Sequence, residues 1–359
     1  MTIPRRVLLL CAAVLPAGCP HDLTRPNRDG TPILDVAVRD GAAVGELGAA
    51  DRGPSSSEAG CPHPCVSTYA GRCENTGFDQ EARPLDQAYF NHPGDLIVET
   101  PESPPGMLVM DTTNRAIRRI AGGWVTTAVA LPTVAEPTGL ARKSSNDLFV
   151  SDLKTKQVFE VVDGKVSWYA GTTRGDQDGP VATAQLWEPE SVLWVEGTGL
   201  LVADGALNKI RLVAGGIVST YAGSGDSART AGSLLLAGFD DPHHLALDPD
   251  GSTIYVSENE AVRKIVGTTV VTLAKTGLSN PYGVVTDPSG ALLVADASTN
   301  VIRRIANGSV STLAGTSGPG YRDGPGYLAA FRSPHGLVIG LDGAVYVSDT
   351  DNHCIRVIR

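Results

Sequence analysis

Four residues with side chains suited to metal binding or proton transfer stand at matching places in the sequence, each directly after a recurring proline. Histidines and carboxylates are common metal ligands, and glutamate and tyrosine exchange protons in general acid–base catalysis. The residues are far apart in the chain, so only a fold that brings the repeats together makes one site of them. The same position holds Gly or Thr in two further repeats. In chain order the six positions are Gly94, Thr138, Glu190, His243, Tyr282 and His335.

The prolines mark six repeats of one pattern. Each is followed by an apolar run, a turn, a second apolar run that ends in an acid, and alternating apolar and basic residues. Successive repeats are about 40 to 54 residues apart, which is typical of four-stranded β-propeller blades. The prolines are Pro93, Pro137, Pro189, Pro242, Pro281 and Pro334, and the acids are Asp111, Asp152, Asp204, Glu258, Asp296 and Asp349.

The last repeat contains three strand-like segments, the first at residues 336–341, where earlier repeats contain four. The missing element is present near the start of the chain. Val66–Gly71 reads Val-Ser-Thr-Tyr-Ala-Gly, as does the fourth element at Val218–Gly223. Pairing of this segment with Cys354–Ile358 would close the ring and remove two exposed sheet edges. We therefore predict an all-β fold, a six-bladed β-propeller over residues 66–359 whose N-terminal strand closes the last blade.

The segment from Pro334 to Ile358 resembles the NHL repeat, and this resemblance extends over the chain after about residue 66. It implies the same six-bladed architecture. It implies little about activity, because similar propellers serve as adhesion modules, sensor domains, RNA-binding modules and, in a few cases, enzymes. A function has to be argued from the residues around the central channel.

The chain has a more distant similarity to the propellers of peptidyl-hydroxyglycine amidating lyases, which implies a metal site. In those enzymes histidines from alternate blades hold a metal near the channel opening. His243 and His335 match two of these positions, whereas the third position is Thr138, with Glu136 nearby. A catalytic zinc ion normally has three protein ligands and a water, so two histidines leave the set incomplete.

A metal-dependent lyase or hydrolase is therefore the alternative function, with zinc or calcium as the metal and Tyr282 and Glu190 as the candidate acid–base groups. The loops contain Asp-Gly pairs at Asp178 and Asp323, which fit calcium contact but also simple turn formation, and we favour turns. His92 and His244 lie close to the series but out of register with it.

The acids that end the second apolar runs recur once per repeat, and so do arginines in the following segment. A residue repeated in every blade usually solves a local structural problem. We interpret the acids as acceptors for the backbone of the turn that each one opens, and the arginines as partners of carboxylates between blades. Phe159 takes the arginine position in the second repeat. The arginines are Arg118, Arg211, Arg263, Arg303 and Arg356.

The first residues resemble a bacterial lipoprotein signal peptide, with two arginines before the apolar run at residues 7–15 and small residues before Cys19. We predict a signal peptide at residues 1–18, a lipid on Cys19 and a flexible tether at residues 19–65. Pro16 stands where such signals prefer leucine, so secretion as a free protein is the alternative. The predicted location is the periplasmic or outer-membrane surface of a bacterial cell envelope.

Four cysteines would remain after processing, in an oxidising compartment where pairing is expected. Four cysteines allow three connectivities. We favour Cys73 with Cys354, because the closing strand would lie beside the strand that starts at Cys354, and Cys61 with Cys65. Zinc binding by Cys61 and Cys65 is the alternative for that pair.

The net charge is −10, and such a surface repels phosphate backbones, which disfavours nucleic-acid binding. The sequence contains neither a Gly-x-Ser-x-Gly elbow nor a phosphate-binding P-loop. We therefore expect a monomeric binding module without a cofactor. Its partner would be a protein or glycan on the face of the disc at which the inner strands begin, and the lipid anchor would be its one link to the membrane.

Overall fold

The computed structural model describes residues 61, 63–99 and 106–359. The predicted signal peptide, Cys19 and most of the predicted tether lie outside the described residues. Among the described residues, no helix has the length and apolar character needed to cross a membrane.

Six antiparallel sheets of four main strands form the described chain, which confirms the all-β six-bladed propeller. Every blade proline is the first residue of an inner strand, and every recurring acid is the last residue of a second strand. The strands, from the centre outward, are Pro93–Val98, Gly106–Asp111, Ala116–Ala121 and Trp124–Ala130 in blade 1; Pro137–Arg142, Asp147–Asp152, Gln157–Val162 and Lys165–Ala170 in blade 2; Pro189–Val195, Gly199–Asp204, Lys209–Ala214 and Ile217–Ala222 in blade 3; Pro242–Leu247, Thr253–Glu258, Ala261–Val266 and Thr269–Ala274 in blade 4; Pro281–Thr286, Leu292–Asp296, Val301–Ala306 and Ser309–Ala314 in blade 5; and Pro334–Ile339, Val345–Asp349, Cys354–Ile358 and Cys65–Ala70 in blade 6.

The inner strands form a closed ring, because each one contacts the inner strands of the blades before and after it, and blade 6 contacts blade 1. We call the end of the disc where the inner strands begin the upper end, and the end where they finish the lower end. Apolar clusters fill the spaces between neighbouring sheets; one joins residues of blades 6 and 1 around the fully buried Phe90.

The predicted ring closure is confirmed. Cys65–Ala70 pairs antiparallel with Cys354–Ile358, with Ser67 opposite Val357 and Thr68 opposite Arg356. Both predicted disulfides are present, Cys73–Cys354 at the upper end of this blade and Cys61–Cys65 where the closing strand starts.

Some details of the strands differ from the predictions. The inner strand of blade 6 begins two residues before the predicted start, at Pro334. Two-residue strands extend the outer edges of blades 1, 3, 4 and 6, and were not predicted because such short segments have no periodicity. They are Arg83–Pro84, Gly179–Pro180, Gly232–Ser233 and Gly324–Pro325. Short 3-10 helices follow the second strand in three blades, at Gly205–Leu207, Ala297–Thr299 and Thr350–Asn352.

The recurring acids and arginines pair within a blade, which corrects the prediction that they pair between blades. Arg118 Nη1 lies 3.1 Å from Asp111 Oδ2, and both side chains are fully buried. The partners lie on adjacent strands of one sheet, so their spacing is set by the strand register. Asp111 also accepts the backbone N–H of Asn91, ahead of the inner strand of its blade. The buried acid thus fixes the segment that leads into the channel.

Candidate functional site

The six residues that follow the blade prolines all line one cavity at the upper end of the channel, with a volume of about 450 Å³. We call it the upper cavity. Its wall is completed by the segments before the inner strands and by the turns after the second strands, which is the face predicted from chain direction. The lining residues used below are Gly94, Thr138, Glu190, His243, Tyr282 and His335, together with His92, Asp95, Glu136, His244 and Asp351.

The buried acids place these residues. In blade 3, Asp204 Oδ1 accepts the backbone N–H groups of Glu188 at 2.8 Å and Trp187 at 3.1 Å, which holds the chain just before Pro189 and Glu190. Burial raises the pKa of Asp204 to about 6, although these backbone bonds oppose the change. The residue after each blade proline varies among the blades, but the recurring acid of the same blade holds the backbone beside it.

Three rings from blades 4, 5 and 6 form a stack on one side of the upper cavity. Tyr282 is parallel to His243 within 7° and to His335 within 10°, with ring centroids 4.5 and 4.2 Å away. Tyr282 comes from the blade between those of the two histidines, so the imidazoles lie against opposite faces of its ring. Both faces of Tyr282 are covered, and the stack presents ring edges and polar atoms to the cavity.

This stack does not suit the metal site implied by the lyase resemblance. Zinc holds its nitrogen ligands at about 2.0 to 2.1 Å, and two imidazoles separated by a tyrosine ring cannot both reach one ion. The nearest alternative group of ligand atoms, among the residues that the structure describes, consists of oxygens of Glu188, Glu190 and Asp241, all within 4.8 Å of one another.

The surroundings of His243 favour the positively charged form of its imidazole. Its Nδ1 donates to the carbonyl of Pro281 at 3.1 Å and its Nε2 donates to Asp241 Oδ2 at 3.4 Å, so both ring nitrogens face acceptors. Burial lowers the pKa of His243, but the hydrogen bond to Asp241 and the charge of Glu190 together outweigh burial. The pKa of His243 is therefore raised above its ordinary value. His243 thus partly neutralises the carboxylates beside it.

Glu190 is the carboxyl group whose charge changes near neutral pH. Burial, opposed in part by the positive charge of His243, raises the pKa of Glu190 to about 7. Burial and the charge of Glu190 also raise the pKa of Tyr282, which stays protonated. Burial and nearby positive charge from His243 lower the pKa of His335 to about 4, so its imidazole is neutral. The group therefore offers both proton donors and acceptors to a ligand.

Thr138 and Gly94 contribute less polar chemistry to the cavity. The Thr138 hydroxyl donates to the carbonyl of Pro189 at 3.2 Å and contacts Ser151 Oγ at 3.0 Å, so it joins blades 2 and 3. Gly94 offers no side chain, and a Cβ there would lie 3.1 Å from Thr112 Oγ1. The polar ligand contacts expected from the sequence are therefore concentrated in blades 3 to 6.

One pair of residues that crosses the channel was not predicted. His244 Nε2 lies 3.4 Å from Asp95 Oδ1, and these residues belong to blades 4 and 1, on opposite sides of the ring. We call them the cross-channel pair. His244 was set aside as out of register, but a β-bulge follows Pro242 and breaks the alternation, so both His243 and His244 reach the channel.

His92 also lines the upper cavity, contrary to the expectation from its register. Its ring packs edge-on against His353, with centroids 4.6 Å apart, and its Nε2 lies 3.8 Å from Asp351. It lies on the segment before the inner strand of blade 1. His92 could have been found from its place in the repeat, because it directly precedes a blade proline. Glu136 and Glu188 occupy the same place in blades 2 and 3.

Comparison with known proteins agrees with this architecture. Residues 331–358 match the model of the NHL repeat. Among curated proteins, SUPPRESSOR OF QUENCHING 1 of Arabidopsis thaliana is 26% identical over 62% of this chain and 25% of its own length. NHL repeat-containing protein 2 of Gallus gallus is 31% identical over 34% of this chain and 19% of its own length. The chain thus spans a quarter or less of these relatives.

Solved structures show the same fold. An auxiliary nutrient binding protein from Bacteroides thetaiotaomicron has a TM-score of 0.64 at 14% identity, over 82% of this chain and 76% of that one. A virginiamycin B lyase from Staphylococcus aureus has a TM-score of 0.51 at 15% identity, over 77% and 98%. Fold and cavity define a six-bladed β-propeller with a site at the upper end of its channel. Within that class, the chain contains a segment, residues 331–358, that matches the NHL repeat.

Proposed function

We propose that this protein is an exported, lipid-anchored binding protein of a bacterial cell envelope, and that the upper cavity receives part of a glycan or of a protein. The observation that carries the proposal is the convergence of six non-repeating residues on one cavity, in a scaffold that otherwise repeats. The cavity volume of about 450 Å³ falls in the usual range for ligand sites.

The chemistry of the cavity suits a ligand rich in hydroxyl, amide or amine groups. Glu136, Glu190 and neighbouring carboxylates supply acceptors on the side of blades 2 to 4. The edge of the ring stack supplies the Tyr282 hydroxyl and the neutral imidazole of His335. Sugar hydroxyls and peptide groups are both donors and acceptors, so they can satisfy this mixed wall.

Export is supported by the two disulfides, because disulfides persist in oxidising compartments. Bacterial structures of this fold include proteins named as auxiliary nutrient binding proteins, which agrees with a binding role outside the cytoplasm. The lipid on Cys19 is the part of the proposal that rests on sequence alone. Phase partition of the expressed protein in detergent tests it: the wild type should enter the detergent phase and Cys19→Ser should not.

The binding proposal is tested by screening the purified protein on glycan and peptide arrays and titrating the hits by calorimetry. Tyr282→Ala and Glu190→Gln should each weaken binding at least tenfold. Tyr327→Ala is the matched control, because Tyr327 is 69% exposed and lies outside the cavity lining, and it should bind as the wild type does. Equal affinity in all three variants would show that the ligand binds elsewhere.

A second candidate function is an enzyme, favoured by the raised pKa of Glu190 beside His243 and Tyr282. A carboxyl group with a pKa of about 7 can take and return a proton at neutral pH. A metal-dependent form of this enzyme is disfavoured by the ring stack. Elemental analysis decides this point: one zinc per chain, lost in His243→Ala and in His335→Ala, would show that the two histidines do share an ion.

A further inference from the structure

A second cavity, of about 550 Å³, opens at the lower end of the channel. Its walls come from the later residues of the inner strands of all six blades. Asp95 and His244 line both this cavity and the upper one, so the cross-channel pair separates them. We call the lower cavity the lower cup. Its partly exposed apolar lining includes Ile97, Leu193, Trp194, Leu247, Val285 and Val338.

The carboxylate of Asp95 at the deep end of the lower cup is already hydrogen-bonded. Asp95 Oδ2 accepts the backbone N–H of Leu140 at 2.9 Å, and Asp95 Oδ1 accepts that of Leu96 at 2.9 Å and faces His244. Both carboxylate oxygens are therefore engaged. Water in an apolar cup of this kind loses hydrogen bonds, so its displacement by hydrocarbon is favourable. The chemistry of the walls selects an aliphatic chain.

Arg142 gives the lower cup a polar edge. This residue ends the inner strand of blade 2 and lines the cup, with 15% of its side chain exposed. Its Nε and Nη2 are buried and make no hydrogen bond among the described residues, and its Nη1 reaches the carbonyl of Ser145 only at 3.4 Å. Glu99 Oε1 is 3.8 Å from Nη2, beyond hydrogen-bond distance.

An arginine with unfilled donors at the edge of an apolar cup is suited to an anionic head group. Guanidinium groups bind carboxylates through paired N–H bonds, and a partly desolvated guanidinium gains more from such a partner than one in water does. Burial lowers the pKa of Arg142, and the charge of Glu99 opposes this change only in part.

We propose that the lower cup binds a free long-chain carboxylate, with its alkyl chain toward the cross-channel pair and its carboxylate at Arg142. This site is separate from the upper cavity, and the proposal stands whether or not the upper cavity binds a glycan or a protein. It assigns a second class of ligand, an amphipathic anion, to the opposite end of the same channel.

The first experiment needs no variant. Decanoate, kept below its critical micelle concentration, is titrated by calorimetry into the full chain, and decyltrimethylammonium is titrated in parallel as a ligand with the same tail and the opposite charge. We expect saturable binding of one decanoate per chain, at least tenfold tighter than the cation. No saturable binding of decanoate, or equal affinity for both ligands, would overturn the proposal.

Two variants locate the ligand. Arg142→Gln should weaken decanoate binding about tenfold and remove the preference over the cation, whereas Val338→Asp should abolish binding of both. Tyr282→Ala, in the upper cavity, should leave decanoate binding unchanged. Thermal unfolding of each variant identifies loss of folding. Unchanged decanoate binding in folded Arg142→Gln would place the anion elsewhere and refute the assignment.

Discussion

The blade interiors and the upper cavity both contain charged residues, but they use them in opposite ways. In the interiors an acid (aspartate in five blades, glutamate in blade 4) and, in five blades, an arginine recur at one register. At the upper cavity a single position holds six residues of five different types. We therefore infer that the recurring residues stabilise the blades, and that the residues that vary at a shared position are the candidates for ligand binding.

Blade 2 shows why the acid recurs even without its arginine. Phe159 is buried at the arginine position, and Asp152 instead accepts four backbone N–H groups. Two of these lie ahead of the inner strand and two lie in the turn after the second strand. The common task of the acid is thus to fix the segment ahead of the inner strand. The predicted bond to the backbone of the turn that the acid opens is present in blade 2.

The largest expected effect on stability comes from the closing disulfide. It is an exception to the rule that recurring residues stabilise the fold, because it occurs in one blade only. Cys73 and Cys354 are 281 residues apart, and in the loop-entropy model such a link contributes about 5 kcal/mol, against about 2 kcal/mol for the short loop of Cys61 and Cys65. Urea unfolding of the two double Cys→Ser variants measures both. Equal losses would show that ring closure does not depend on the longer link.

The next effect concerns a recurring ion pair. Arg118→Leu should lower the free energy of unfolding by about 3 to 5 kcal/mol, because it leaves the fully buried carboxyl of Asp111 without its charged partner. Replacing both members, with Asp111→Asn added, should recover part of the loss. Urea unfolding gives the values, and ligand affinity of the folded fraction should match the wild type. A loss below about 1 kcal/mol would show that these buried ion pairs contribute little to stability.

The smallest effect has the opposite sign and comes from the upper cavity. Glu190 has a pKa of about 7 in the folded protein and 4.5 as its ordinary value, so ionising it between these pH values costs folding stability. Glu190→Gln cannot ionise and should become the more stable protein by up to about 3 kcal/mol at pH 8, with no such gain below pH 4.5.

The measurement is urea unfolding of the wild type and Glu190→Gln at several pH values. The difference between them should grow as the pH rises through the interval from 4.5 to 7. A pH-independent difference would show that burial does not disfavour the charged form of Glu190.

Much of the fold could be predicted because a propeller repeats its rules. The six prolines locate the inner strands, and Val66–Gly71 reveals the closing strand by identity with its counterpart in blade 3. The six cavity positions follow from that register. The break in strand pairing after each blade proline could not be predicted, and after Pro242 it changes which side chains reach the channel.

The ring stack and the lower cup also could not be predicted from the sequence. Stacking of Tyr282 between two imidazoles depends on the distance and tilt between neighbouring blades, which no repeat pattern encodes. In the sequence of a single strand, the apolar residues of the lower cup look like ordinary core residues. Only the assembled ring shows that they line the lower end of the channel. The sequence thus located residues that line the upper cavity, but it did not reveal how the two histidines are arranged around Tyr282.

The closing strand also determines at which end of the disc the described chain enters the propeller. It starts at Cys65, beside the last residues of the third strand in blade 6, and this is the lower end of the blade. The described chain therefore enters the propeller at the end of the disc opposite the mouth of the upper cavity.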